Sequence, residues 1–323
     1  MGQKAFDTAG NVHEAALSAA GFKEVAPPPG FENPWQAYAI ESGGMHGRFY
    51  TCSPKRSWQI SIHDFTLAND MLLEFEGQDY ISVGWYESIS GEQFNPYRRL
   101  RPSTLWGFDT RGGWRGLTHG GIPVRSISIE IRPDLLERFI KDGYWNSYEE
   151  ISATLLRVNE GTDLPKLRAL LEGLWPRPGN ERRSPLYLEG KVIEAVGLLA
   201  EHGTAKAPRP PRKVLDSDRE RIREVTTYID DHCASNLRLA DLARAACMSP
   251  TKFKECFKAV TGSTLTAYVQ GRRMSMAESL LRHSDLTVAQ VSHAVGYTCT
   301  SRFSSLFRRE TGMLPSELRK ALR

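Results

Sequence analysis

The chain has 323 residues, 40% hydrophobic and 25% charged, enough for two domains with cores of their own. Its formal net charge of +4 is unevenly held: from Lys206 to Arg323 there are 21 Lys and Arg against 12 Asp and Glu, so the rear part is basic and the front part acidic. Cys52, Cys233, Cys247, Cys256 and Cys299 are odd in number and lack C-x-x-C or Cys/His spacing, and no apolar run approaches the roughly 20 residues of a membrane helix, which argues against a disulfide scaffold, a zinc module and a membrane protein.

The start, Met1-Gly2-Gln3-Lys4, lacks a signal-peptide core, so a cytoplasmic protein with reduced thiols is expected. A helix is expected near Asn11 to Ala20, ended by the breaker Pro27-Pro28-Pro29-Gly30. From there to Ile131 the pattern is β. Apolar residues alternate in Trp58, Ile60, Ile62, in Met71, Leu73, Phe75 and in Ile127, Ile129, Ile131, while Tyr80 to Tyr86 is dense in β-branched and aromatic residues. Breaks at Gly43-Gly44, Gly112-Gly113 and Gly120-Gly121 separate these runs, and a sandwich or small barrel would bury them. From Pro133 the period becomes helical, with faces at Leu135, Leu136, Phe139, Ile140, then at Leu164, Leu167, Leu170, Leu171, Leu174, and a third helix from about Ser184 to His202. Ala205 to Lys213 holds three prolines and four basic residues and reads as a linker. Asp216 or Ser217 then caps a helix through Ile222, Val225 and Ile229.

The remaining sequence contains one pattern twice. Leu239, Leu242, Ala243 and Ala246 form a helical face, Cys247-Met248-Ser249 turns the chain, and a second helix carries Phe253, Cys256, Phe257 and Val260 up to Thr261-Gly262. Downstream, Val288, Val291 and Val295, the turn Gly296-Tyr297-Thr298, then Phe303, Leu306, Phe307, Thr311 and Gly312 repeat the order. Phe253 and Phe303 are 50 positions apart but Leu242 and Val291 only 49, so the second turn holds one extra residue. Two short helices around a tight turn are the pattern of a helix-turn-helix, and its repetition makes coincidence improbable. Between the copies, Leu265 to His283 keeps one helical stripe of about 28 Å, close to the roughly 34 Å turn of B-DNA. Such a connector can seat two recognition helices in successive major grooves.

The rear hundred residues resemble the AraC/XylS family of bacterial transcription regulators. The resemblance rests on Leu242-Ala243, Met248-Ser249, Phe253, Phe257-Lys258, Gly262, Tyr268, Arg272, Ala277, Leu280-Leu281, Val295-Gly296-Tyr297, Phe303, Phe307-Arg308, Gly312 and Pro315. Cys247 departs from it, standing where the family often has glycine, as does Ser292 where alanine is usual. The front half is similar, less closely, to the effector-binding half of that family, and Tyr187 to Val192 resembles the dimer helix of some siderophore-type members. The resemblance implies an α+β two-domain chain. Residues 1–204 would be a cupin-like β-barrel or jelly roll with packed helices, for effector binding and dimerisation. Residues 205–215 would be the linker, and 216–323 an all-α DNA-binding domain with two helix-turn-helix motifs.

Base-reading residues project from the N-terminal part of each second helix, away from its apolar anchors. These are Thr251, Lys254 and Glu255 in the first copy and Ser301, Arg302 and Ser305 in the second, the same six that the family motif places at base edges. Arg302 suits a guanine, since a guanidinium donates two bonds to O6 and N7, and Glu255 can accept from cytosine. Lys252, Lys258, Arg272, Arg273, Arg308 and Arg309 are expected on phosphates. The expected partners are double-stranded DNA, a small-molecule effector, a second copy of the chain, and RNA polymerase if the regulator activates. No catalytic residue, metal or cofactor is expected. An effector-independent dimeric regulator is the alternative. A cupin-type metalloenzyme built on His46, His63 and His119 is a further one, but these lack H-x-H or H-x-x-x-H spacing. Trp58, Trp85, Tyr86, Phe94, Trp106 and Trp114 are read as core, although a barrel mouth lined by several of them would suit an apolar or aromatic effector.

Overall fold

In the computed structural model, residues 11–31, 34–55, 57–75, 79–94, 97–160, 164–176, 183–204 and 214–321 are described; the expected linker lies outside them apart from Val214 and Leu215. Helix α1 (Glu14–Ala19) leads into β1 (Lys23–Val25), β2 (Trp35–Ser42), β3 (Met45–Cys52), β4 (Trp58–Thr66), β5 (Met71–Phe75), β6 (Ile81–Ser88), β7 (Gly91–Phe94), β8 (Arg98–Leu100), β9 (Thr104–Asp109), β10 (Trp114–Thr118) and β11 (Pro123–Ile131). The strands form two antiparallel sheets, ordered β1-β2-β3-β4-β11-β6-β9 and β5-β10-β7-β8. The Gly43-Gly44 break is the hairpin turn between β2 and β3, where φ values of +59° and +79° favour glycine. Leu100 of the smaller sheet shares a buried cluster with Tyr86, Trp106 and Val124 of the larger one, so the sheets face each other as a sandwich.

Helices α2 (Pro133–Lys141), α3 (Tyr148–Leu155), α4 (Pro165–Leu174) and α5 (Pro185–Thr204) cover the far side of the seven-stranded sheet. This gives its alternating strands an unusual meaning. Alternation normally marks a sheet with one wet face. Here Trp58, Ile60, Ile62, Ile81, Val83, Ile127, Ile129 and Ile131 pack on the helices in one core. The intervening Gln59, Ser61, Ser82, Ser128 and Glu130 turn into the sandwich and are no more than 1% exposed. The larger sheet therefore has both faces buried, one apolar and the other mixing these polar residues with Phe65, Tyr86, Trp106 and Val124.

The rear part is all helical: α6 (Asp216–His232), α7 (Leu239–Ala245), α8 (Pro250–Thr261), α9 (Leu265–His283), α10 (Val288–Ala294), α11 (Thr300–Thr311) and α12 (Pro315–Ala321). Phe253, Phe257 and Tyr268 form one core with Ile222 and Ile229 of α6, and Phe303 and Phe307 form another with Met274, Ala277 and Leu281 of α9. Helix α9 contributes to both cores, so the two helix-turn-helix units are fixed to one rod. Among the described residues no helix is long and apolar enough to cross a membrane.

Candidate functional sites: a nucleic-acid interface and a cavity

Both copies turn in the same way. The Met248 N–H donates to the Ala243 carbonyl at 2.9 Å and the Tyr297 N–H to the Ser292 carbonyl at 3.0 Å, which closes α7 and α10 with matching left-handed caps. Cys247 and Gly296 occupy the left-handed positions, at φ +54° and +83°. The cysteine thus adopts the backbone that glycine usually supplies, at the cost of some strain. At Gly296 glycine is demanded twice over, because a Cβ would lie 2.2 Å from the Ala234 carbonyl oxygen. The extra residue of the second copy falls after this turn. Gly262 and Gly312 cap the recognition helices α8 and α11 at φ +76° and +82°, and Thr261 and Thr311 each donate to the carbonyl four residues back.

With Phe253, Phe257, Phe303 and Phe307 wholly buried, the opposite sides of α8 and α11 are left to solvent. Thr251, Lys254, Glu255, Ser301, Arg302 and Ser305 are all exposed on those sides. Ser305 donates to the Ser301 carbonyl at 3.1 Å, and Cys299, at the N-cap of α11, lies 3.1 Å from the Ser301 hydroxyl. The six expected phosphate residues divide. Lys258 and Arg308 are exposed, as is Arg309, which also reaches Glu310 at 3.1 Å. Lys252 is bonded to Asp218 at 2.9 Å. Arg273 is spent inside the domain, donating to the Cys233 carbonyl at 2.7 Å and the Ser235 carbonyl at 2.9 Å. Arg272 is not free for a phosphate in this conformation, since it pairs with Glu92 of β7 at 2.9 Å and with Asp230 of α6 at 2.9 Å.

The Arg272–Glu92 pair belongs to a larger contact that the sequence did not signal. Glu278 of α9 is fully buried and is met by Arg99 of β8, by the Ser90 hydroxyl at 2.8 Å and by Arg282 at 3.5 Å. Arg99 also donates to Ser275 at 2.7 Å and to His119 Nε2 at 3.2 Å, while His119 Nδ1 faces Asp70 at 3.0 Å. Burial first, and then the Arg99 charge against the pull of Glu278, leave the His119 imidazole below its ordinary range. Burial likewise lowers Arg282 to about 10, although Asp70 pairs with it. Around this polar centre, Tyr97 packs on Tyr268 at 4.4 Å and Ile122 enters the Phe303 core. Gly271 lets α9 approach, as a Cβ there would lie 2.6 Å from the Tyr97 hydroxyl oxygen. The four-stranded sheet is thus clamped to the rod that carries both recognition helices.

Behind that sheet, between it and the inner face of the larger one, lies a cavity of about 130 Å³. Tyr86, Trp106 and Phe108 stack in a row at one wall, with centroid separations of 4.7 and 5.0 Å. Beside this row, Ser126 of β11 pairs in register with Tyr86 on one side and with His63 of β4 on the other, and it is joined to His63 by a 2.7 Å hydrogen bond. Burial pushes the His63 imidazole down to about 3, so it is neutral. Next to it Glu130 accepts from Ser61 at 2.8 Å and Ser128 at 2.6 Å, with the His13 imidazole 3.6 Å away. Burial opposes its charge, yet His13 and the serine hydroxyls hold its carboxyl below the usual range. Ala16 and Leu17 of α1, and Ala20 just after it, also line the cavity. The alternation of one strand links the two sites: Leu100 lines the cavity while its neighbour Arg99 grips Glu278.

Of the three histidines weighed for a metal, His46 is exposed on β3, His63 lines the cavity and His119 sits in the clamp, so they do not converge. Among the described residues no group of three or more His, Cys, Asp or Glu is placed to hold a metal ion. Of the aromatics weighed for an effector, Tyr86, Trp106 and Trp114 line the cavity, Trp58 and Trp85 lie in the helix-facing core, and Phe94 packs with the first helix-turn-helix core.

Two helix-turn-helix units on a common rod, with a basic exposed face, define a DNA-binding domain. Comparison with known proteins agrees. Residues 242–321 match the family described as a helix-turn-helix domain, and residues 46–215 match the N-terminal domain of the regulatory protein PchR. The chain belongs to the AraC-type family of transcription regulators, with a front half of the PchR type. It is 33% identical over 102 residues to the regulatory protein PocR of Salmonella typhimurium, covering 32% of this chain and 34% of that one. It is 35% identical over 100 residues to the arabinose operon regulatory protein of Escherichia coli, covering 31% and 34%. The transcriptional activator RhaS of an Enterobacter species is 29% identical over 181 residues, covering 56% and 60%. The chain thus spans about a third of the length of the first two relatives. A solved DNA-binding domain of AdpA in complex with target DNA is 29% identical, with a TM-score of 0.31, covering 32% of this chain and 92% of that one.

Proposed function

We propose that the chain is a sequence-specific DNA-binding transcription regulator of the cytoplasm, whose residues 216–323 read DNA and whose residues 1–204 sense a small molecule. The observation that carries this reading is the pair of recognition helices on one rod, with all six base-reading candidates exposed together. Thr251, Lys254 and Glu255 would meet one major-groove site, and Ser301, Arg302 and Ser305 the next. Lys258, Arg308 and Arg309 would hold phosphates, with Lys252 joining if it leaves Asp218. A homodimer fits the exposed Leu186 and Tyr187 at the start of α5, and an activator would add RNA polymerase as a partner. Genome-wide DNA selection at fixed salt tests the reading. Two half-motifs about one helical turn apart are expected. Arg302→Ala is expected to lose preference at one base pair, at a cost of about 1–3 kcal/mol. Binding without sequence preference would reject the assignment.

The clamp supplies the switch. In the docked state Arg272 is committed to Glu92, and the strand that holds Arg99 also walls the cavity. A ligand that shifts this sheet changes how α9 is held, and DNA must alter ligand affinity by the same factor. Glu92→Gln weakens the pair without removing the acceptor for the Tyr97 hydroxyl. It is expected to raise DNA affinity several-fold and to steepen the salt dependence by about one phosphate contact. Unchanged affinity and slope in salt-titrated binding assays would reject the capture of Arg272 as a restraint.

A further inference from the structure

The cavity says something about its ligand. Its volume of about 130 Å³ is close to that of an apolar cavity of roughly 150 Å³ known to admit benzene. The Tyr86, Trp106 and Phe108 rings stack on one another, 16° and 10° from parallel, so the row presents ring edges, against which a planar ring can lay its face in the edge-to-face arrangement aromatic pairs favour. Two strands from Tyr86, across Ser126, His63 engages Ser126 through Nδ1, and among the described residues Nε2 has no hydrogen-bond partner. Whichever tautomer the Ser126 bond selects, a hydroxyl can complement Nε2, because it both donates and accepts. Among the described residues no Lys or Arg lines the cavity, and its Glu130 carboxylate already takes up the His13 imidazole, so an entering anion would face a buried carboxylate with no cation left to pair with.

We propose that the cavity binds a phenol, a neutral single-ring aromatic molecule whose ring lies along the Tyr86–Trp106–Phe108 row and whose hydroxyl meets His63. The proposal rests on reading the front half as the sensor, and deepens it by naming the ligand class.

The test is binding of phenol, benzene and benzoate to the full chain, followed by thermal shift and tryptophan fluorescence. Phenol should stabilise the protein saturably, benzene should bind about tenfold more weakly for want of the hydroxyl, and benzoate at least a hundredfold more weakly. Val124→Phe, which fills the cavity from β11, should abolish the phenol response while the variant still selects the same DNA motif. His63→Phe should keep ring binding but bring phenol and benzene to equal affinity. Benzoate binding as tightly as phenol, an unchanged phenol response in Val124→Phe, or no phenol binding by a chain that still selects its motif would each overturn the ligand class. In the last of these the regulator reading survives. Conversely, loss of motif selection with phenol binding intact would reject the regulator and leave the ligand site standing.

Discussion

Replacing Glu278 with alanine uncouples the two halves of the chain. Glu278 is the buried carboxylate on which Arg99, Ser90 and Arg282 converge, and its removal strands Arg99, which is only 8% exposed. Leaving one partner of such a pair buried alone costs about 3–5 kcal/mol. The protein can escape part of this penalty by undocking α9 from β7 and β8, which rehydrates Arg99 at the expense of the Tyr97 and Ile122 contacts. The loss is therefore bounded by the docking free energy. The measurement is simple because all seven tryptophans, Trp35 to Trp175, lie in the front half. In urea, tryptophan fluorescence and the helical circular dichroism signal should follow one transition in the parent chain and two separate transitions in Glu278→Ala. Coincident transitions in the variant would show that the clamp contributes no cooperativity.

The second large effect is confined to one reading unit. Phe303 is fully buried in the core that joins α10, α11 and α9, and truncation to alanine removes a ring that the surrounding helices cannot collapse around. The expected cost is about 3–5 kcal/mol. The first unit draws its own support from α6 and should survive, so Phe303→Ala should protect only one half-motif in a DNA footprint while the matching Phe253→Ala protects only the other. Loss of the whole footprint in both variants would show that the two units fold as one.

These two cases mark where the sequence was legible and where it was not. The phenylalanines were readable because a helical period of apolar residues, repeated at a fixed offset, seldom arises without a repeated helical unit beneath it. The connector runs from Leu265 to His283 as its stripe implied, and α8 ends at Thr261 with Gly262 as its cap, where its close was expected. Helix α3 had too little to announce it, since Ile151 and Leu155 are its only buried large apolar residues. The clamp was illegible for a different reason. Glu92, Arg99, Glu278 and Arg272 lie up to 186 positions apart, and a charge that is solvated looks the same in sequence as one that is buried against a distant partner. Arg272 shows the consequence, since the motif assigns it to DNA and the fold gives it a carboxylate. The cavity was only half visible. Its aromatics could be noticed but not separated from core aromatics, because burial of both faces of one sheet removes the contrast that would have told them apart.

That same doubly covered sheet has a consequence for how the chain tolerates change. Sliding β11 by one position relative to β4 and β6 would drive Ser126, Ser128 and Glu130 into the helix-packed core and place Ile127, Ile129 and Ile131 around the cavity. In an ordinary half-wet sheet such a slip exposes apolar residues to water. Here it would also strand a carboxylate among leucines and isoleucines, so the wrong pairing is penalised from both sides. Length changes within β4, β6 or β11 should accordingly be rare among viable variants, whereas the hairpin at Gly43-Gly44, away from the cavity lining, is where the sandwich can accept extra sequence.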